Sequence, residues 1–420
     1  MLLNCKIKNF KTFKNQIEIS FIADMRIKKF LANSSDIGGQ NILKTTSIYG
    51  PNNTGKTCLI EAIYAIKKLM LGEKLQEIYY AFYKNNSINT ITEFEITYEF
   101  NNRFYRYIVH YDSLNEEYIY EKLDKIYISK YNEFIYEKVF SRNKNSIDIK
   151  VAKVEKMPVN LLNNNIPLFR MLLLKKTELE QAQIDYVDFA HSIAMINMEL
   201  PLFIEKTLEL IQKDENAKKF IISFAKNCDL NIDDFGYASD IISDVNINKK
   251  LPRFMQNDTS NKEILKIWSK HHDFTVPSVL FDSIGTRKLI ALAGYIYESI
   301  KNNGVLLIDQ LDSSLHHVIL RAIIALYNND LNKKAQLIFT THDALTMDLR
   351  RLFRKDQIYL TDIDENGDNK LIHLSEEFTS RDENGIRGNE DIVDYYLKGR
   401  FGGVPTPDLF DSISEVLSDD

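Results

Sequence analysis

A short glycine-containing stretch, residues 50–57, constrains the fold more than any other part of the chain. It reads G-x-x-x-x-G-K-T, with an apolar run before it and apolar residues at helical spacing after it. The pattern predicts a phosphate-binding loop that joins a buried strand, residues 44–49, to a helix, residues 57–71. The glycines let backbone N–H groups surround phosphate oxygens, and the helix dipole favours the bound anion.

The residues of this loop have separate expected roles in binding ATP. We expect Lys56 to reach the β- and γ-phosphates and Thr57 to place its hydroxyl on Mg²⁺. The other nucleotide-binding residues predicted here lie in or directly after the loop: Gly50, Pro51, Asn52, Asn53, Thr54, Gly55 and Cys58. A glycine turn without a ligand is the alternative interpretation, and the flanking strand and helix patterns make it less favoured.

A second motif, far downstream, supplies a carboxylate. Residues 305–308 are all apolar, and Asp309 follows them directly. A buried strand of this kind places its aspartate at the carboxyl edge of the sheet, beside the phosphate loop. The sequence therefore predicts Asp309 and Thr57 as the metal ligands.

The next residue, Gln310, occupies the position where ATPases of this type normally have the catalytic glutamate. A glutamine can orient a water molecule, but it cannot take a proton at neutral pH. Two interpretations stay open. Gln310 is either a natural divergence in a protein that binds ATP without turning it over, or a deliberate replacement of Glu that traps bound ATP.

Three further segments offer groups that could complete a nucleotide site. Ser283 and Gly285 open a predicted helix, where O–H and N–H groups can meet an anion, although a plain helix cap is the simpler interpretation. His342 follows a predicted strand and would sense or hold a γ-phosphate, unless it is merely packed. Asp312 lies in the segment after Asp309 that we expect to touch a partner subunit.

The overall composition limits the class of protein. Hydrophobic residues make up 44% and charged residues 27%, which is typical of a globular protein in water. The 53 Lys+Arg against 59 Asp+Glu give a net charge of −6, so nothing in the total indicates nucleic-acid binding. The three scattered cysteines, the lack of a signal-peptide pattern and the absence of a membrane-length apolar run predict a cytoplasmic protein.

The order of the patterns predicts an α/β fold split by an insertion. We expect a P-loop NTPase of the ABC-head type, with a mainly parallel sheet, an antiparallel β-layer and a helical insertion. The predicted divisions are residues 1–150, 151–268, 269–380 and a tail of 381–420. The expected strands of the β-layer are 92–100, 103–111, 118–128 and 133–140, after a hairpin over 2–21 and a polar connection over 25–40.

The rest of the predicted elements follow from hydrophobic spacing. Helices are expected over residues 169–198, 202–228, 283–299, 313–327 and 344–353. Strands are expected over residues 335–340 and 357–362. Lysines in the insertion are read as a solvated face rather than a nucleic-acid site: Lys153, Lys156, Lys175, Lys176, Lys218, Lys219, Lys249 and Lys250. Residues 384–420 are expected to be partly ordered at best.

Together, these motifs resemble the SMC-like branch of the ABC ATPases, with its phosphate loop, S-x-G signature, Walker B strand, D-loop and switch histidine. The chain is more closely similar to the ATP-binding proteins of bacterial abortive-infection and anti-phage systems, of the AbiL and RloA type, PARIS AriA and Septu PtuA. The similarity is densest over residues 2–57 and 281–360. Residues 395–405 resemble the closing motif of the AbiL/RloA group.

The resemblance implies a head that dimerises around two ATP molecules, each between Lys56 of one subunit and Ser283 of the other. It also implies ATP and Mg²⁺ as cofactors, a homodimer or higher oligomer, a nuclease or toxin as effector partner, and a phage trigger. The chain departs from the family at Gln310 and at His317, where related chains often have proline. It also has no clear glutamine after the first helix to couple nucleotide to lobe motion.

Two other functions are weighed against this one. A RecF-like DNA-repair head would clamp DNA on binding ATP, but the insertion is too short for long arms and the net charge is negative. A nuclease would need a carboxylate cluster after the ATPase half, and Asp362 and Asp364 are instead interpreted as part of a loop. We therefore favour an ATPase of a defence system, with DNA binding left open.

Overall fold

The computed structural model describes residues 1–80, 89–129, 133–149, 163–171, 178–198, 205–228, 230–237, 267–272, 274–378 and 391–405. Within these residues, a six-stranded sheet lies at the centre. In spatial order its strands are β11 (Ile193–Asn197), β15 (Val305–Asp309), β16 (Gln336–Thr340), β5 (Thr45–Tyr49), β17 (Ile358–Ile363) and β18 (Asn369–His373). The first five run parallel, and β18 is antiparallel to β17.

Two apolar cores cover the two faces of this central sheet. Alternate residues of β15 enter different cores, with Leu307 on one side and Leu306 on the other. The first core includes α1 (Lys56–Leu71) and α3 (Glu178–His191). The second includes α7 (Ile284–Lys301) and α8 (His317–Tyr327). Burial on both faces explains why β15 is apolar along nearly its whole length.

A second, antiparallel sheet packs on the side of α1 and α3. Its strands, in spatial order, are β10 (Ile147–Ile149), β9 (Phe134–Asn143), β8 (Glu117–Ile128), β7 (Arg103–Asp112), β6 (Ile91–Phe100), β1 (Leu2–Lys8) and β2 (Ile17–Ser20). The predicted hairpin and the four predicted strands of the β-layer are therefore confirmed. Aromatic residues join the layer to α3, since the ring of Tyr98 stacks on Phe189 with centroids 3.9 Å apart.

The inserted region contains the predicted helices and, in addition, strands that the sequence did not predict. Its described helices are α2 (Leu168–Met171), α3, α4 (Glu205–Lys213) and α5 (Glu215–Asn227). The expected helix over 169–198 ends at His191, and β11 then pairs in parallel with β15. Two further strands, β12 (Asp234–Tyr237) and β13 (Ile267–His271), form a small sheet with β14 (Phe274–Pro277).

Much of the insertion lies outside the described residues. This applies to residues 150–162, 172–177, 199–204 and 238–266. It also applies to six of the eight lysines named above, while Lys218 and Lys219 lie on α5. The proposed domain boundaries at 150, 268 and 380 therefore stay predictions.

Three other predicted elements differ from the structure. The helix expected over 313–327 begins at His317, because the side chain of His316 accepts a hydrogen bond from Val318 N–H and caps it. The expected helix over 344–353 is only a short 3₁₀ turn, Ala344–Thr346, followed by irregular turns. Asp343 and Asp348 accept hydrogen bonds from nearby backbone N–H groups and so compete with a regular helix.

The third difference is in residues 25–40, where the sequence predicts a polar connection. The structure has a short hairpin there, β3 (Ser34–Ile37) with β4 (Gln40–Leu43). Its turn, Gly38–Gly39, has positive φ at both glycines, which allows the tight reversal.

The carboxyl-terminal part that is described packs against the central sheet. It contains α9 (Leu374–Glu377) and α10 (Ile392–Leu397). Much earlier in the chain, a short helix α6 (Ser278–Phe281) precedes α7. Tyr396 Oη donates to the carbonyl of Gly403 at 2.8 Å, which holds the segment after α10 beside β17. Residues 379–390 and 406–420, most of the predicted tail, lie outside the described residues. No helix in the described part combines the length and apolar character needed to cross a membrane.

Candidate nucleotide-binding site

The phosphate loop follows β5 and needs glycine at both of its ends. Gly50 has φ +144° and Gly55 has φ +97°. A Cβ atom at Gly50 would overlap the Thr361 side chain, and one at Gly55 would lie 2.6 Å from Cζ of Phe13. The strand, loop and helix order that the sequence predicted is therefore confirmed, with α1 beginning at Lys56.

The amino terminus of α1 offers backbone donors to an anion. Gly55 precedes the helix, and no side chain caps it. The first N–H groups of a helix have no partner within the helix, so those of α1 remain available beside the loop. Together with the helix dipole, they form the kind of site that binds phosphate.

Lys56 lies folded over this loop, with its side chain buried. Its Nζ donates to the carbonyl of Gly50 at 2.8 Å and to that of Pro51 at 2.7 Å. Burial lowers the pKa of Lys56 to about 8, although the carboxylates of Asp309 and Asp312 act in the opposite direction. A phosphate placed against Nζ would offset the cost of burying this charge.

The other residues of the loop either face solvent or pack against the sheet. Asn52 and Asn53 are exposed, and Asn53 has φ +63°. Thr54 is buried, and its hydroxyl lies 2.6 Å from that of Thr361 on β17. Cys58 is partly buried in the first turn of α1, where burial raises the pKa of its thiol. Thr54 therefore fixes the loop to the sheet, whereas the two asparagines face outward.

Asp309 lies at the end of β15, where three donors surround its buried carboxylate. Thr57 Oγ1 lies 3.0 Å from each carboxylate oxygen. Thr340 Oγ1 donates to Oδ1 at 2.6 Å, and Asn197 Nδ2 donates to Oδ2 at 3.1 Å. The predicted pair of Thr57 and Asp309 is therefore brought together at the carboxyl edge of the sheet.

This group of oxygen atoms fits Mg²⁺ in type. Mg²⁺ prefers hard oxygen ligands and is usually held by one or two carboxylates, waters and the phosphates of the nucleotide. Among the residues that the structure describes, no cluster of three or more His, Cys, Asp or Glu side chains forms a separate metal site. Thr57 and Asp309 are the residues that would hold the ion, and it would neutralise charge on the phosphates.

Gln310 is held by its backbone next to this carboxylate. Its φ is +55°, and its N–H donates to Thr340 Oγ1 at 2.7 Å. Thr340 therefore connects Asp309 to the backbone of Gln310. The side chain of Gln310 is partly exposed, at the position where sequence analysis places the residue that acts on water.

Asp312 and His342 meet across the next two loops of the same edge. The backbone N–H of His342 donates to Asp312 Oδ2 at 3.1 Å. The other oxygen, Asp312 Oδ1, is buried and has no hydrogen-bond partner within the described part of the chain. His342 itself is exposed and lies two residues after the end of β16.

Ser283 and Gly285 lie at the exposed start of α7. Ser283 Oγ accepts a hydrogen bond from Thr286 N–H at 3.1 Å, so it acts as a helix cap, which is the simpler of the two interpretations. A Cβ atom at Gly285 would lie 3.0 Å from the Ser314 carbonyl, so α7 begins against the loop that contains Asp312. Within one chain, the start of α7 therefore lies beside the Asp312 loop.

Sequence reasoning missed Asn197 and Thr340 as part of the site. Asn197 ends a short apolar run, as Asp309 does, and the parallel register places the two residues side by side. That similarity is the signal that could have identified it. The insertion therefore supplies an amide side chain next to Asp309 at the carboxyl edge of the sheet.

Fold and site together define a P-loop ATPase with an α/β fold, as predicted. A family model described as "AAA domain, putative AbiEii toxin, Type IV TA system" matches residues 45–348, well over half of the chain. The chain belongs to this family. No curated protein matches it.

Two solved structures are similar in fold. One is the SMC head domain from Thermotoga maritima, at 14% identity and a TM-score of 0.42, over 89% of this chain and 98% of that one. The other is the SmcHead bound to the C-winged helix domain of ScpA, at 14% identity and a TM-score of 0.45, over 90% and 98%.

Replacing Lys56 by Ala should remove nucleotide binding. The lysine carries the charge that the loop amides lack, and each hydrogen bond to a charged group contributes about 1.5–3 kcal/mol. Loss of two such bonds to phosphate should weaken ATP binding by about 100-fold or more, measured by calorimetric titration with Mg²⁺ present. Lys68→Ala, on the same helix but paired with Glu73, is the matched control and should bind normally. Unchanged affinity in Lys56→Ala would show that this site is not the nucleotide site.

Proposed function

We propose that this protein is the ATPase subunit of a bacterial anti-phage system of the abortive-infection class. In this proposal it is cytoplasmic, and it dimerises when it binds ATP with Mg²⁺. The dimer restrains or scaffolds a toxic effector until a phage trigger releases it. The family description, which names a putative toxin of a type IV toxin–antitoxin system, supports a place in such a system.

The proposed dimer is supported mainly by a set of exposed apolar side chains around the candidate site. These side chains are 54–62% exposed and lie in the segments that hold Ser283, Asp312 and His342: Phe281, Ile284, Val318 and Leu345. Apolar groups grouped around polar site residues are typical of a protein interface. A second copy of the chain placed on this face would cover them.

The position of Ser283 supports the same arrangement. It is exposed and begins α7 beside the Asp312 loop, where its hydroxyl also caps the helix. In a symmetric dimer, that surface of one subunit would face the phosphate loop of the other. Each ATP would then be bound by Lys56 of one copy and Ser283 of its partner.

Replacing Ser283 by Arg should block ATP-driven dimerisation while ATP binding to the monomer stays within a few-fold. The added bulk and positive charge would lie in the closed interface, near the bound metal ion. Light scattering with and without ATP measures the dimer. Ser283→Ala removes the helix cap without adding bulk and controls for the loss of about 1 kcal/mol of helix stability. Ser223→Arg, on an exposed position of α5, controls for the charge. A dimer that forms without ATP and persists in Ser283→Arg would show that the interface lies elsewhere.

The effector part of the proposal predicts that the chain acts only with a second protein. Expressed alone, it should leave cell growth unchanged, and the purified chain should not cut DNA or RNA. Co-expression with the neighbouring reading frames should give growth arrest or loss of phage plaques that depends on Lys56. Toxicity of the chain alone would instead make it the toxin itself. ATP-dependent binding of duplex DNA without any partner would favour the DNA-repair alternative.

Gln310 predicts slow ATP turnover. Without a general base, the rate typically falls by about 10²–10⁴-fold. Binding should persist, because Lys56, Thr57 and Asp309 are all in place. Gln310→Glu should therefore raise phosphate release by about 100-fold or more, with ATP affinity within a few-fold. An inert Gln310→Glu chain that still binds Mg·ATP would make the protein a binding switch and contradict the trap interpretation.

A further inference from the structure

One buried carboxylate oxygen at the site has no role in the contacts described so far. Asp312 Oδ2 accepts from His342 N–H, whereas Oδ1 is buried and unpartnered within the described residues. Buried polar atoms in proteins almost always have a hydrogen-bond partner, so an exception calls for a missing partner such as water or ligand.

The other two carboxylates at this edge are already used. Both oxygens of Asp309 accept hydrogen bonds, from Thr57, Thr340 and Asn197. Asp343 accepts from Leu345 N–H at 3.0 Å and caps the 3₁₀ turn after β16. Among these three described carboxylates, Asp312 is thus the one with a buried oxygen that lacks a partner.

Asp312 lies at the edge of the sheet that also carries the phosphate loop. The strands β15, β16 and β5 are neighbours, so the loops that follow them meet at one edge of the sheet. Asp312 follows β15, His342 follows β16, and Lys56 follows β5. A phosphate held by Lys56 would therefore lie at the same edge of the sheet as the unpartnered oxygen of Asp312.

We infer that Asp312 binds and activates the water that attacks the γ-phosphate of ATP, a role that sequence position assigns to residue 310. This inference rests on the proposed ATPase function. Asp312 Oδ1 accepts a hydrogen bond from the water, and His342 N–H fixes the carboxylate through Oδ2. Because Gln310 cannot take a proton, Asp312 carries the turnover that remains in this chain.

In this reaction, the water oxygen forms a bond to the γ-phosphorus while the bond from that phosphorus to the β–γ bridging oxygen breaks. The bridging oxygen leaves with the electron pair as part of ADP, and one proton of the water passes to Asp312 Oδ1. That proton then goes to solvent as phosphate is released. Removal of the Asp312 charge should therefore lower the rate without weakening ATP binding.

The experiment measures single-turnover phosphate release and ATP affinity in four chains and one control chain. These are the unmodified chain, Asp312→Asn, Gln310→Glu, and the double variant. Asparagine keeps one oxygen as acceptor for His342 N–H and replaces the other by an uncharged NH₂ group, so a structural role through His342 would survive it. Asp343→Asn, which removes a neighbouring carboxylate charge from the next loop, is the matched control and should keep its rate within two-fold.

We expect Asp312→Asn to lower the slow phosphate-release rate of the unmodified chain by about ten-fold or more, with ATP affinity within two-fold. In the Gln310→Glu background, the same change should cost less, because the introduced carboxylate can then take the proton. A loss smaller than two-fold in the chain that keeps Gln310 would overturn the inference, as would turnover too slow to detect there. Failure of the unmodified chain to bind ATP would instead overturn the proposed function.

Discussion

The buried carboxylate of Asp309 is the interaction on which the site depends. An ionised group this deeply buried is costly unless donors surround it. Its donors come from three separate parts of the chain: Thr57 after β5, Thr340 at the end of β16, and Asn197 at the end of β11. Satisfying one charge therefore brings the phosphate loop, the insertion and the second half of the fold to one edge of the sheet.

Local patterns explain which parts of the fold could be predicted. The phosphate loop, the strand before Asp309 and the β-layer each follow from spacing within a few residues, and the structure has them. The error at residues 193–197 has a different cause. This short apolar run fits either a helix end or a strand, and only its long-range register with β15 selects the strand. The helix predicted after Asp343 does not form, because the side chains of Asp343 and Asp348 compete for the backbone N–H groups of this segment.

The sequence predicts which residues form the candidate site better than it predicts the contacts between them. Lys56, Thr57, Asp309, Asp312 and His342 follow from the sequence motifs, and the structure places them at one edge of the sheet. The sequence cannot show that Thr340 connects Asp309 to Gln310, or that one oxygen of Asp312 lacks a partner in the described part of the chain. Both facts depend on how the loops after β15 and β16 pack together.

The insertion is divided between the two halves of the proposed dimer site. Its helices α4 and α5 hold α7, since Thr207 Oγ1 donates to the Ala291 carbonyl at 2.8 Å and Asp214 accepts from Tyr297 Oη at 2.8 Å. Its strand β11 belongs to the central sheet and places Asn197 against Asp309. The insertion therefore contacts both α7, which begins next to Ser283, and the carboxylate of Asp309.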